Sequence, residues 1–97
     1  MSDGGTRVLV AEKIGDSGID LLREHFEVDV GVGWDRAELE QRIGEYEGIL
    51  IRSATKLDGD LLAKATRLRA VGRAGVGVDN VDVDAATKAG IIVANAL

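Results

Sequence analysis

The sequence predicts an α/β fold built on a parallel sheet, and three observations predict it. Short apolar runs alternate with amphipathic stretches of about ten residues along the whole chain. Two of the runs, Val8-Leu9-Val10-Ala11 and Gly48-Ile49-Leu50-Ile51, are continuously apolar, as in buried parallel strands. Acidic residues stand just before the stretches of helical period, where side-chain caps belong. Strands joined by helices in this way need right-handed crossovers, so the strands run parallel.

Each element follows from its own residues. Arg7-Val8-Leu9-Val10-Ala11 reads as the first strand. Asp16-Ser17 is the expected cap of the first helix, with Ile19, Leu22 and Phe26 as its apolar stripe. Glu27 to Val32 alternates with period two and reads as a half-exposed edge strand. Asp35 precedes Glu38 by three, close to a capping box, and Leu39 and Ile43 form the buried stripe of the second helix. Trp34 is expected to staple that helix's start and Tyr46 to pack at its end. Gly48 to Ile51 is the third strand and belongs at the sheet centre. Asp58 caps the third helix, with Leu61, Leu62 and Ala65 facing inward. The fourth strand begins over Leu68 to Val71. Asp82 caps a fourth helix that runs through Lys88, and Gly90 fits its C′ position. Ile91 to Ala94 is the fifth strand. This succession fits a flavodoxin-like (Rossmann-like) three-layer sandwich with strand order 2-1-3-4-5.

Composition bounds the function. At 97 residues the chain is expected to form one domain over residues 1–97, with 1–6 as a flexible tail. Size scaling gives about 64% of the surface buried on folding, enough for one core without staples. No Cys is present, which removes disulfides, thiolate catalysis and Cys-based metal sites. A net charge of −5 with no Lys/Arg run argues against nucleic acid or an anionic membrane as partner. No apolar run approaches the roughly 20 residues of a membrane span, and the start lacks signal-peptide features. A cytoplasmic protein is the expectation. Pro is absent where about five would be average, and composition alone does not explain it.

In such folds ligands bind outside the carboxyl ends of the strands. There the sequence places Glu12-Lys13-Ile14-Gly15, Arg52-Ser53-Ala54-Thr55-Lys56, a glycine loop at Gly72, Gly75 and Gly77, and Asn95. The Arg52 fork of donors suits a carboxylate or phosphate, Ser53 adds a hydroxyl, and Lys56 adds charge. The bland reading is a strand-end arginine bonding loop carbonyls or an acid. The glycines run G-x-x-G-x-G, the reverse of the dinucleotide fingerprint. Consecutive N–H groups there could form an anion nest beside Arg73, or simply a tight turn. His25 fits a helix C-terminus better than a catalytic role. Asp79, Asp82 and Asp84 form an acidic patch with no support for a metal site. A phospho-receiver would need acids after strands one and three and a Lys after strand five. Glu12, Arg52-Ser53 and Asn95 stand there instead. The loop Glu12-Lys13-Ile14-Gly15-Asp16 is not the Ser/Thr-rich loop of a true flavodoxin. A protein-interaction module would leave Arg52 and the glycine loop unexplained.

From about Arg7 to Ala96 the chain resembles the D-3-phosphoglycerate dehydrogenase family, a branch of the NAD-dependent D-2-hydroxyacid dehydrogenases. Four stretches carry the likeness: Arg52-Ser53-Ala54-Thr55-Lys56, Gly72-Arg73-Ala74-Gly75-Val76-Gly77-Val78-Asp79-Asn80-Val81-Asp82, Ala85-Ala86-Thr87-Lys88 and Gly90-Ile91-Ile92-Val93-Ala94-Asn95-Ala96. The family has two Rossmann-like domains with the active site between them. The resemblance implies that this chain is the first part of the substrate-binding domain. The reaction implied is oxidation of 3-phosphoglycerate to 3-phosphohydroxypyruvate with NAD, in serine biosynthesis. It further implies that Arg52, Ser53 and Arg73 help to hold the phosphorylated hydroxyacid. Backbone N–H groups around Gly75, Val76 and Gly77 would receive its carboxylate, with Val76 near the nicotinamide.

The family's catalytic Arg, Glu and His and its G-x-G-x-x-G loop lie further along the chain than residue 97, and His25 does not correspond to the acid–base His. The expectation is therefore a truncated domain, without catalytic residues, without bound NAD and without dehydrogenase activity alone. The family continues Asn-Ala-Pro into a helix, where this sequence has Asn95-Ala96-Leu97. Without later helices one sheet face should stay uncovered, so self-association or a homodimer through that face is expected. The alternative is an autonomous flavodoxin-like fragment with no useful ligand binding.

Overall fold

The computed structural model describes residues 5–74 and 80–96. Five strands form one parallel sheet in the order β2-β1-β3-β4-β5: β1 Arg7–Val10, β2 Glu27–Val30, β3 Gly48–Ile51, β4 Ala70–Ala74 and β5 Ile92–Ala96. The crossovers are α1 Asp16–Arg23, α2 Arg36–Arg42, α3 Gly59–Lys64 and α4 Val83–Lys88, with a 3-10 turn at Ile43–Glu45 after α2. β2 is an edge and β3 is central, as the alternating and the continuous apolar patterns predict.

Caps set most helix starts. Asp35 accepts from the Glu38 N–H at 2.9 Å, Asp58 from Leu61 at 2.9 Å and Asp82 from Ala85 at 3.0 Å. α1 differs from expectation. Its N-cap is Gly15, with no side-chain capping bond, and Asp16 already lies in the first turn. An acid there still complements the helix dipole. α4 ends in a Schellman motif: the Ile91 N–H reaches the Ala86 carbonyl, Gly90 reaches Thr87, and Gly90 takes φ +77°. That motif uses Ile91, so β5 begins one residue later than its apolar run. Pairing with β4 then carries β5 on to Ala96. β4 likewise starts at Ala70 rather than Leu68, because the Leu68 N–H closes a turn onto Ala65.

One order of strands gives two unequal faces. α2, α3 and α4 share one side, where Leu39, Ile43, Leu61, Leu62 and Ala86 meet Leu9, Ile49, Ile51 and Val71. α1 stands on the other side, and no residue in it is fully buried. Phe26 and Ile92 are 38% and 69% exposed, and an apolar groove of about 240 Å³ runs between Leu22, Phe26, Leu50, Gly72 and Ile92. Periodicity placed the Ile19–Leu22–Phe26 stripe correctly, but the stripe meets only a partial surface. Of the expected tail, residues 1–4 lie outside the described residues, while the Thr6 carbonyl accepts from Glu27 at 2.9 Å.

A polar network ties β1 and β2 to the turn after α2. Tyr46 is fully buried and its hydroxyl donates to the Asp29 carboxylate at 2.5 Å. Arg7 bridges Asp29 and Glu45 at 3.0 and 3.1 Å, and Arg42 stacks over Trp34. Burial first, and the bond to Asp29 second, push the Tyr46 phenol up to about 12. The Tyr46 bond holds the Asp29 carboxyl below its ordinary value, against burial and together with Arg7 and Arg42. A lowered folded value means stability present above the unfolded value of about 3.9 and lost as pH falls through the folded one. The stability gap between wild type and Asp29→Asn should therefore shrink on acidification below about pH 4. Urea midpoints for both chains across pH 2–7 check it; a gap constant with pH rules it out.

Candidate functional site

Because all five strands run the same way, their carboxyl ends share one edge. Pairing continues past β1, with the Ala11 N–H donating to the Leu50 carbonyl at 3.0 Å. This places Glu12 beside the chain that leaves β3, although 40 residues separate Glu12 from Arg52. The Glu12 carboxylate accepts three backbone N–H groups: Arg52 at 2.7 Å, Ala54 at 3.1 Å and Thr55 at 2.9 Å. Burial would raise its pKa, but the bonds from Arg52, Thr55 and Ala54 outweigh it and hold the carboxyl below its ordinary value.

The same loop is gripped from its carbonyl side. The Asn80 amide nitrogen donates to the Arg52 carbonyl at 2.7 Å and to the Thr55 carbonyl at 2.6 Å. Its oxygen accepts from Arg73 Nε at 2.5 Å. The backbone follows: Leu57 donates to the Asn80 carbonyl at 2.8 Å, Asp82 donates to Leu57 at 2.9 Å, and Leu57 bridges Val81. The loop after β3 and the segment that leads into α4 therefore form one braced unit.

A cleft of about 500 Å³ opens beside this unit, lined by Lys13, Ile14, Gly15, Arg52 and Ala74. The sequence-derived candidates divide around it. The Arg52 side chain is exposed and lines the cleft, and among the described residues it has no carboxylate partner. Ser53 is exposed on the next bend. Arg73 is 7% exposed, on the same sheet face as Val71, and turns its Nε to Asn80. The two arginines are linked through one amide, by the carbonyl of Arg52 and the guanidinium of Arg73. Gly75, Val76 and Gly77, the expected nest, lie outside the described residues, as does Asp79. His25 sits just past α1, its ring edge-on to Phe26 and away from this edge. No cluster of three metal-ligating side chains occurs among the described residues.

Two residues were missed by reading the sequence for chemistry. Glu12 counted only as the wrong acid for a phospho-receiver, and Asn80 only as part of a motif. A lone acid directly after an apolar strand was the available signal for Glu12. No signal paired either residue with the Arg52 loop.

The chemistry open to this edge is anion binding. A planar cation faces a cleft with Lys13 nearby, and its backbone is fixed on both sides. A dinucleotide does not fit the described residues. The pyrophosphate of such a ligand belongs between the end of β1 and the start of α1. The loop there, Glu12-Lys13-Ile14-Gly15, has no G-x-G-x-x-G phosphate fingerprint. No helix among the described residues is long and apolar enough to cross a membrane.

The family model described as D-isomer specific 2-hydroxyacid dehydrogenase, catalytic domain, matches residues 8–97. The chain is 48% identical over 91 residues to a D-3-phosphoglycerate dehydrogenase of Archaeoglobus fulgidus, covering 93% of this chain and 17% of that protein. It is 47% identical over 90 residues to one from Bacillus subtilis, with the same coverage of 93% and 17%. The chain thus spans about a sixth of the length of these relatives. The crystal structure of the PH0520 protein from Pyrococcus horikoshii superimposes with a TM-score of 0.90 at 30% identity, over 94% of this chain and 27% of that one. An NAD+-bound 3-phosphoglycerate dehydrogenase of Entamoeba histolytica shares the fold, with a TM-score of 0.83 at 23% identity, over 95% of this chain and 33% of that one.

Proposed function

Because the chain belongs to the D-isomer specific 2-hydroxyacid dehydrogenase family, we propose that it is the substrate-holding segment of a D-3-phosphoglycerate dehydrogenase-like oxidoreductase. The reaction is 3-phosphoglycerate to 3-phosphohydroxypyruvate with NAD. NAD is the cofactor of such an enzyme, in keeping with the NAD+-bound 3-phosphoglycerate dehydrogenase that shares this fold. The observation that carries the reading is Arg52, whose backbone is braced on both sides and whose guanidinium has no carboxylate partner among the described residues, in a cleft at the carboxyl edge of the sheet. Its fork can donate to two oxygens of a carboxylate or phosphate. Buried Arg73 supports the adjoining turn from behind through Asn80 and carries the second positive charge. Hydride transfer needs a nicotinamide fixed against the substrate and an acid–base group in reach, so this segment alone binds without turnover. Binding in half a clamp is weak, because the other half is what preorganises the site.

The test is a ¹⁵N NMR titration of the chain with 3-phosphoglycerate, in wild type and Arg52→Ala. Shifts are expected at the Arg52 and Ser53 amides. Removing a charge-assisted pair of about 1.5–3 kcal/mol weakens binding roughly ten- to hundredfold in the variant. Equal affinity in the two chains, or no shift in wild type, sinks the reading. In the same tubes NAD should stay oxidised.

A further inference from the structure

Resting on the reading of Arg52 as the anion-holding residue, we propose that Glu12 is its positioning residue. Its carboxylate takes the N–H groups of residues 52, 54 and 55 and so fixes the direction in which Arg52 enters the cleft.

The geometry distinguishes this from an ordinary ion pair. An acid beside an arginine usually neutralises it, and a neutralised arginine holds an anion poorly. Here both Glu12 oxygens are already used by backbone N–H groups, Oε2 by Arg52 and Thr55 and Oε1 by Ala54. A carboxylate offers about four lone-pair sites, so most of its capacity is spent on the loop. The charge of Arg52 is left for the cleft. Both peptide units that flank its Cα are held, the N–H by Glu12 and the carbonyl by Asn80. With both fixed, the Cα–Cβ direction of Arg52 has little freedom. Glu12 also opens the segment whose next three residues, Lys13, Ile14 and Gly15, line the same cleft. One carboxylate therefore sets two walls of the cleft relative to each other. Such positioning affects affinity steeply, because an anion clamp depends on geometry as well as charge.

Glu12→Gln keeps the shape but replaces one acceptor oxygen by an NH2, which faces an N–H donor. The experiment combines amide hydrogen exchange with 3-phosphoglycerate titrations of wild type, Glu12→Gln, Arg52→Ala and the double variant. Exchange at Ala54 and Thr55 should quicken about tenfold or more, while Leu9 and Ile49 in the sheet stay as protected as before. Affinity should fall about tenfold on Glu12→Gln in the wild-type background and not at all further in the Arg52→Ala background. A purely structural role predicts equal losses in both backgrounds, and that result overturns the proposal. If Glu12→Gln does not fold, Glu12→Asp carries the same cycle, with a smaller loss. A wild-type chain that shows no shift with 3-phosphoglycerate overturns the anion reading itself. The loop exchange then decides for Glu12, and unchanged exchange in Glu12→Gln overturns its positioning role.

Discussion

Leu9→Ala is expected to destabilise the chain by about 2–5 kcal/mol. Leu9 is fully buried in β1, which pairs with β2 on one side and β3 on the other. Its side chain enters the core that β3, β4, α2 and α3 share. The strands around it are hydrogen-bonded in register and cannot collapse into the space it leaves, so a cavity term adds to the lost transfer energy. Small domains hold only about 5–15 kcal/mol in total, so much of the stability would go. Leu21 is the control. It is 58% exposed on α1, and Leu21→Ala should stay within about 0.5 kcal/mol. Urea unfolding followed by circular dichroism gives both numbers. Equal losses would mean that α1 is packed in solution by something that leaves Leu21 covered.

Asn80→Ala is the second large effect, and it acts on fold and site together. One amide satisfies the Arg52 and Thr55 carbonyls and the Nε of buried Arg73. Net hydrogen-bond values, including the charged donor, add to about 3 kcal/mol. At about 4–8 °C per kcal/mol for a domain of this size, the melting temperature should fall by roughly 12–24 °C. Asn80→Asp separates the parts. It keeps the acceptor for Arg73 and the shape, but points an oxygen at two carbonyls. Its loop should therefore exchange as fast as in the alanine variant, while part of the stability returns through the charge opposite Arg73. A melting temperature for Asn80→Ala within about 2 °C of wild type would refute the braced-unit description.

The parts of the fold that could be read from the sequence were local. Asp35, Asp58 and Asp82 cap helices whose first turns follow at once, and Gly90 supplies the positive φ that α4's end requires. The continuous run of β3 and the alternating run of β2 fixed centre and edge. Boundaries moved where tertiary bonds competed with the pattern, as at Ile91, whose N–H goes to Ala86 rather than into the sheet. The stripe on α1 was legible, while the extent of its burial is set by the surface opposite it. A 3.6-residue period is the same whether the opposing surface is complete or absent.

By itself the sequence determined the element order, the parallel sheet, the caps and the candidate Arg52, because each rests on contacts within a few residues or on a pattern of covered faces. Only the tertiary structure decided which groups hold Arg52. The bonds from Glu12 and Asn80 span 40 and 28 residues. They arise because pairing of β1 with β3 and bridging of Leu57 to Val81 bring separate loops to one edge. The same holds for Arg73, whose place beside the glycine loop did not show which face of the sheet its side chain takes. Strand alternation put it with Val71 on the buried face, where desolvation of a guanidinium demands a partner and Asn80 supplies one.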